Sequence, residues 1–256
     1  MSIMGTSTTR AVPGRGSHPL RALSLLFAAS AVASVAACNS APPPPKSGAD
    51  DQTPAYRVAV ARVTAATDVL HEMNAAADGL VPVAIAHAAR CVAIVPGLIH
   101  AGLLLGARAG RGIVTCRSAE GWTDPKFFVL DGASAGLQAG VQSIDLVMLA
   151  MNDATAAAFI DMKLQLGAST SFAAGPLGRN VEASSDVTLA PVLYYSRARG
   201  VFAGVDLSGT SVSADEESLR AFYGDARDFG ILLRGTRAVP PAAAALRAEV
   251  ERVFAR

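Results

Sequence analysis

Hydrophobic positions fall into three successive patterns along the chain. Between residues 55 and 78, Tyr56, Val60, Val63, Thr67 and Leu70 recur at spacings of three and four, with Arg57, Asp68 and Glu72 on the other side. That period predicts an amphipathic helix. A second, short helix is expected from Pro82 to about Arg90, because proline suits a first helical position. From Cys91 to about Gly209 the pattern changes to glycine-punctuated strands: "LIHAGLLLGA", "GIVTCR", "KFFVLDGASAGLQAG", "SIDLVMLAM", "MKLQLGASTSFAAG", "VTLAPVLYYS" and "GVFAGVDLSG". Turns are expected at 108–112 ("RAGRG"), 175–180 ("GPLGRN") and 197–200 ("RARG"). Connections this short favour an antiparallel meander over parallel βαβ units. One helix, from Asp153 to about Ile160, interrupts it, with Asn152 suited to cap its start. The strings Gly132-Ala133-Ser134 and Gly167-Ala168-Ser169 echo one another and suggest similarly placed strands. The third pattern is helical again. Ser213 and Glu216 have capping-box spacing ahead of "SLRAFYG", which stops at Gly224, and "PPAAAALRAEVERVFAR" puts Leu246, Val250, Val253 and Phe254 on one face. The expected fold is α+β: N-terminal helices and a C-terminal helix packed on a curved, mainly antiparallel β-sheet able to close like a barrel.

The residues before the first helix change the picture from a bare domain to an exported one. A basic lead ending at Arg21 is followed by the apolar run 22–34, the length of a signal-peptide core and too short to span a bilayer. It ends in Val35-Ala36-Ala37-Cys38, which resembles the bacterial lipobox, with Cys38 as the lipidated N-terminus of the mature chain. Asn39, rather than an aspartate, follows and favours the outer membrane. Residues 1–37 thus read as a lipoprotein signal peptide. Residues 38–54, with four consecutive prolines, read as a semi-rigid tether, and 55–256 as the globular domain. Removing residues 1–37 takes away three arginines and no acid, leaving 19 basic against 21 acidic residues, a net charge of −2. A mature chain of that charge gives no reason to expect nucleic-acid binding.

Export also bears on Cys91 and Cys116, which become a default disulfide pair in an oxidising compartment. Neither a CxxC nor a His-plus-carboxylate cluster is present, so no metal site or cofactor is expected. Gly132-Ala133-Ser134-Ala135-Gly136 fits the G-x-S-x-G of a hydrolase nucleophile elbow. However, alternate residues from Gly132 to Val141 keep strict period two, as a strand does, and an elbow must turn into a helix after the serine. His71, His87 and His100 all precede Ser134 and sit in helical or strand patterns. The chain therefore reads as non-catalytic. Arg108 and Arg111 among glycines, and Arg197 and Arg199 in a second turn, are candidates for holding lipid headgroups, since arginines beside backbone N–H groups bind phosphate.

Several of these strings, in order, resemble the SYLF domain: "CVAIVPGLIHAGLLLGARAGRGIVTCR", "GWTDPKFFVLDGASAGLQAGVQSIDLVMLAM", "KLQLGASTSFAAGPLGR" and "YSRARGVFAGVDLSGTSV" with "FYGD". The resemblance implies non-catalytic lipid binding, since eukaryotic relatives bind phosphoinositide membranes and some yeast members bind actin. It departs from relatives in its first helix, which holds only Arg57 and Arg62 as bases, and at His100, where many relatives have lysine. Actin does not suit a periplasm-facing lipoprotein. The expected partner is an anionic phospholipid membrane, from a position on the bacterial outer membrane facing the periplasm. The alternative is a structural lipoprotein contacting other envelope proteins.

Overall fold

The computed structural model describes residues 53–75, 81–102, 105–135, 140–176, 190–198, 201–202, 205–224 and 240–254. Two helices lead, α1 (Pro54–Ala75) and α2 (Val83–Ala88). Five strands follow: β1 (Cys91–Gly102), β2 (Leu105–Ser118), β3 (Gly121–Trp122), β4 (Lys126–Ala135) and β5 (Gly140–Ala150). Then come α3 (Asp153–Ile160), β6 (Gln165–Leu166), β7 (Phe172–Ala174), β8 (Val192–Ala198), β9 (Val201–Phe202), β10 (Thr210–Ala214), α4 (Glu216–Tyr223) and α5 (Pro241–Phe254). The strands order as β6-β10-β4-β2-β1-β5-β8-β7, with β3 and β9 as short hairpin partners of β2 and β8. Every pairing is antiparallel except β7 with β8. The result is the expected α+β fold with a nearly closed, barrel-like sheet. Its two end strands, β6 and β7, are consecutive in the chain, and an isolated bridge joins Leu166 of β6 to Thr170 in the bend just before β7.

Half of the sheet is buried on both faces, which is why its strands read as continuous apolar runs rather than alternating ones. In β1, Cys91, Ala93 and Val95 point into the barrel, with Phe128, Leu130, Leu146 and Met148. Val92 and Ile94 point outward, with Ile113, Phe127, Val147 and Leu149, into a second core beneath α1, α4 and α5. Helix α3 closes the barrel floor with Phe159, and the Lys126 ammonium donates to Ile160 O at the helix end, where carbonyls favour a cation. Asn152 caps α3, accepting from Thr155 N at 2.8 Å. Above the floor, β1 carries a bulge: its register shifts between Val95 and Leu98, and Gly97 there adopts φ +64°. The extra residue makes Leu98, three positions after Val95, point inward again.

Three local expectations change. The chain runs through 108–112 as the middle of β2, and the connection between β1 and β2 falls at 103–104 instead. The glycines there serve close packing rather than a turn: a Cβ on Gly112 would lie 2.5 Å from both Ile94 O and the Phe128 ring. Gly167 lies in the bend after β6, not in a strand, so its echo of Gly132 has no structural counterpart. Helix α4 is capped by Asp215, which accepts from Ser218 N, while Ser213 belongs to β10. In α1 the buried stripe is Ala59, Val63, Ala66, Val69, Leu70 and Met73, because small alanines let the helix lie close to the sheet. Of the other expected segments, 76–80 and 177–189 lie outside the described residues.

Candidate functional site

The other half of the barrel is its mouth, formed where β1, β2, β4, β5 and β10 extend past the helices. Register places residues there in rungs across neighbouring strands. Ile144, Leu98, Gly110, Leu130 and Val212 form the last apolar inward rung. The next inward rung is polar: Gln142, His100, Arg108, Gly132 and Thr210. The rim above it is Gly140, Gly102, Gly106 and Ser134.

Arg108 dominates this mouth. It is only 2% exposed. Its Nη1 donates to Ser208 O at 2.9 Å and to Thr210 Oγ1 at 2.7 Å. Gly132 allows that arrangement, since a Cβ there would meet Gly209 O at 2.8 Å and the Thr210 backbone at 3.0 Å. Asp206 Oδ2 stands 3.9 Å from Nη2, near enough for charge attraction but too far for a hydrogen bond. Asp206 is held there by Ser208, whose N and Oγ both donate to Oδ1. Those hydrogen bonds keep its carboxyl below the usual range, with the Arg108 and His100 charges adding to the effect. Burial pulls the Arg108 guanidinium below its ordinary value, and Asp206 opposes that pull. Nε and Nη2 of Arg108 have no hydrogen-bond partner.

The four arginines read from the sequence do not converge. Arg108 points into the barrel, whereas Arg111, three residues on, points to the helix side and bonds Asp215 Oδ2 at 3.1 Å. Asp215 also accepts from Arg62 at 2.7 Å, so Arg111 helps balance a carboxylate buried under α4. Arg197 pairs with Glu72 of α1 and with Asp145 of β5. Arg199 lies outside the described residues. Strand parity thus separates Arg108 from Arg111, and an acidic side chain stands within 3.9 Å of each of Arg108, Arg111 and Arg197.

The other candidates also find their places. Cys91 and Cys116 are directly opposite in the β1–β2 register and are joined by a disulfide. Cys38 lies outside the described residues. Ser134 sits in β4 opposite Gly106, and the next described element is strand β5, not a helix. His71 lies on α1 against Glu249, His87 on α2, and His100 on β1, with β2 between it and β4. That is not the geometry of a nucleophile elbow. No group of three or more metal-ligating side chains occurs among the described residues.

The sequence reading missed Asp206, Ser208 and Thr210 as partners of Arg108. The usable signal was parity: counting inward in twos from Cys116 reaches Arg108 and puts it inside.

On its outer side the mouth is bare. Val141, Ala101, Ala107 and Ala133 make one outward rung, and Ser143, Ile99, Ala109 and Asp131 the next. Val141 is 73% exposed and Ile99 44%. Seven of these eight residues carry no charge.

Residues 131–253 match the family model described as "Ysc84: Las17-binding protein actin regulator". The chain is 34% identical over 172 residues to Protein YSC84 of Saccharomyces cerevisiae, covering 65% of this chain and 36% of the relative. It is 36% identical over 163 residues to human SH3 domain-containing YSC84-like protein 1, covering 62% of this chain and 47% of that protein. LAS seventeen-binding protein 3 of yeast is 33% identical over 171 residues. The chain thus spans less than half the length of these relatives, none of which is named for a reaction. Barrel, motifs and matches agree on a SYLF domain, through which the chain resembles the Ysc84 proteins.

Proposed function

We propose that this is a non-catalytic, lipid-anchored envelope protein whose SYLF domain binds a phospholipid surface with the bare outer face of the barrel mouth. The observation that carries this reading is the pair of outward rungs around Val141 and Ile99, a nearly charge-free sheet surface left uncovered by the helices. Exposed apolar surface of this kind marks interaction sites. An anchor at Cys38 and a tether over 38–54 would hold the domain within about 50 Å of the bilayer. At the resulting effective concentration a modest apolar contact suffices. Anionic lipid remains the expected surface from the family, but with Arg108 buried inside the barrel and Arg111 and Arg197 paired to carboxylates, the contact should depend weakly on salt.

The test is vesicle sedimentation with Cys38→Ser protein and vesicles containing phosphatidylglycerol. Binding that persists at about 0.3 M salt and is lost in Ile99→Asp/Val141→Asp supports the reading. Binding unaffected by that double substitution, or no binding at all, overturns it. Capture of envelope proteins without vesicle binding would instead favour a structural lipoprotein.

A further inference from the structure

The inner side of the mouth raises a different question from the outer. A guanidinium has five N–H donors in a fixed plane. In Arg108, Nη1 is fully used by Ser208 O and Thr210 Oγ1. The two nitrogens left without partners, Nε and Nη2, are neighbours on one edge of the plane, and their N–H bonds point the same way. That edge is the one that grips two oxygens of a carboxylate or phosphate side by side. Buried donors without acceptors are rare in folded proteins and costly to keep.

The nearest anion does not fill this edge. Asp206 lies 3.9 Å from Nη2 and is committed to Ser208 N and Oγ, while its own side chain is 62% exposed at the lip. It neutralises the guanidinium without bonding it. On the rim above Arg108, glycines 102, 106 and 140 contribute no side chain, so widening the mouth there would need only backbone to move. With Asp206 already offsetting the guanidinium, the site can take no more than a single added negative charge, held by the paired hydrogen bonds rather than by net charge.

We propose that the barrel mouth binds one singly charged oxyanion, a carboxylate or a phosphodiester, held side-on by Nε and Nη2 of Arg108. This stands on the inward geometry and is independent of the membrane reading, which rests on the outward face. In this site Thr210 and Ser208 are positioning residues: they hold the guanidinium by its far end and leave the opposite, buried edge without a partner. Asp206 tunes affinity by competing in charge.

The test follows the Arg108 Nε–H signal by nuclear magnetic resonance in the full chain, held in neutral maltoside micelles. The chain is titrated with dimethyl phosphate, with hexanoate, and with phosphatidylglycerol added to the micelles. We expect a saturable shift of that signal with at least one of them. Arg108→Lys keeps the charge but loses the paired donors, and should weaken binding by about tenfold or more. Asp206→Asn removes the competing charge and should strengthen binding by about threefold or more. Response to dimethyl phosphate or hexanoate identifies a site for solutes, response to phosphatidylglycerol alone a lipid headgroup site, and both support the proposal. No shift with any titrant up to about 10 mM overturns it, as does undiminished binding in folded Arg108→Lys. Since that variant can fail to fold, Asp206→Asn decides separately. If it melts lower and still binds nothing, Asp206 is the true partner of Arg108 and the proposal falls. The membrane reading is untouched by either outcome, because Ile99 and Val141 remain in place.

Discussion

The same strands build two unlike halves of one barrel. Toward the floor, β1, β2, β4 and β5 are buried on both faces, filled inside by Phe128, Leu146 and Phe159 and covered outside by helices over Ile94, Phe127 and Leu149. Toward the mouth they carry alanines, Ile99 and Val141 outside and a polar rung inside. Stability is concentrated in the first half, which leaves the second free to carry surfaces that do little for folding. Outward residues of the mouth such as Val141 should therefore tolerate change with little effect on the fold.

Substitutions on either side of that division should therefore differ in kind. The largest loss is expected from Phe127→Ala, which empties a site packed against Phe222 and Tyr223 and should lower unfolding free energy by about 4 kcal/mol in urea titrations. Next, Arg62→Ala should cost about 3 kcal/mol, because it strips the closest cation from a buried carboxylate. Its pH dependence sharpens the point. Burial pushes the Asp215 carboxyl up, but hydrogen bonds from Ser218 and from Arg62 outweigh it and leave the carboxyl below its ordinary value. A depressed carboxyl stabilises the fold above its unfolded value near pH 4 and loses that contribution as pH falls through the folded value. In Arg62→Ala the loss should begin at higher pH, as urea midpoints across about pH 3–7 would reveal. Replacing Cys91 and Cys116 together by serine opens a span of 25 residues and should remove up to about 3 kcal/mol, measurable by thermal unfolding. The smallest effect is expected at the mouth: Val141→Asp should change stability by less than about 0.5 kcal/mol while still impairing vesicle binding. A large stability loss there would break the contrast between the halves.

Much of the floor half was legible in the chain. Runs such as "CVAIV" and "FFVL" read as strands because burial on both faces leaves no polar position. The helices at each end showed their period. The mouth was harder. "RAGRG" carries the residues of a turn, and nothing local says that Gly110 and Gly112 are there to admit Val95, Leu98 and Phe128 from facing strands. That requirement arises only once the sheet curves. The arginines misled for the same reason: spacing three along a strand means opposite faces, whereas spacing three in a turn does not. The partners of Arg108 come from about a hundred residues further along, a distance no window over the sequence spans. The alternation around Ser134, by contrast, was local, and β4 carries it as far as Ala135, although Gly140 and Val141 already belong to β5 rather than to the same strand.

The seam between β6 and β7 has a consequence for how this ring assembles. A barrel that joins its first and last strands must draw together segments separated by most of the chain, and the entropy lost grows with that separation. Here the two margins flank residues 167–171, with Gly167 N donating to Thr170 O across the bend. Once the remaining strands have zipped up, the circle completes over a few neighbouring residues. The most distant step in an ordinary barrel becomes, in this one, among the most local.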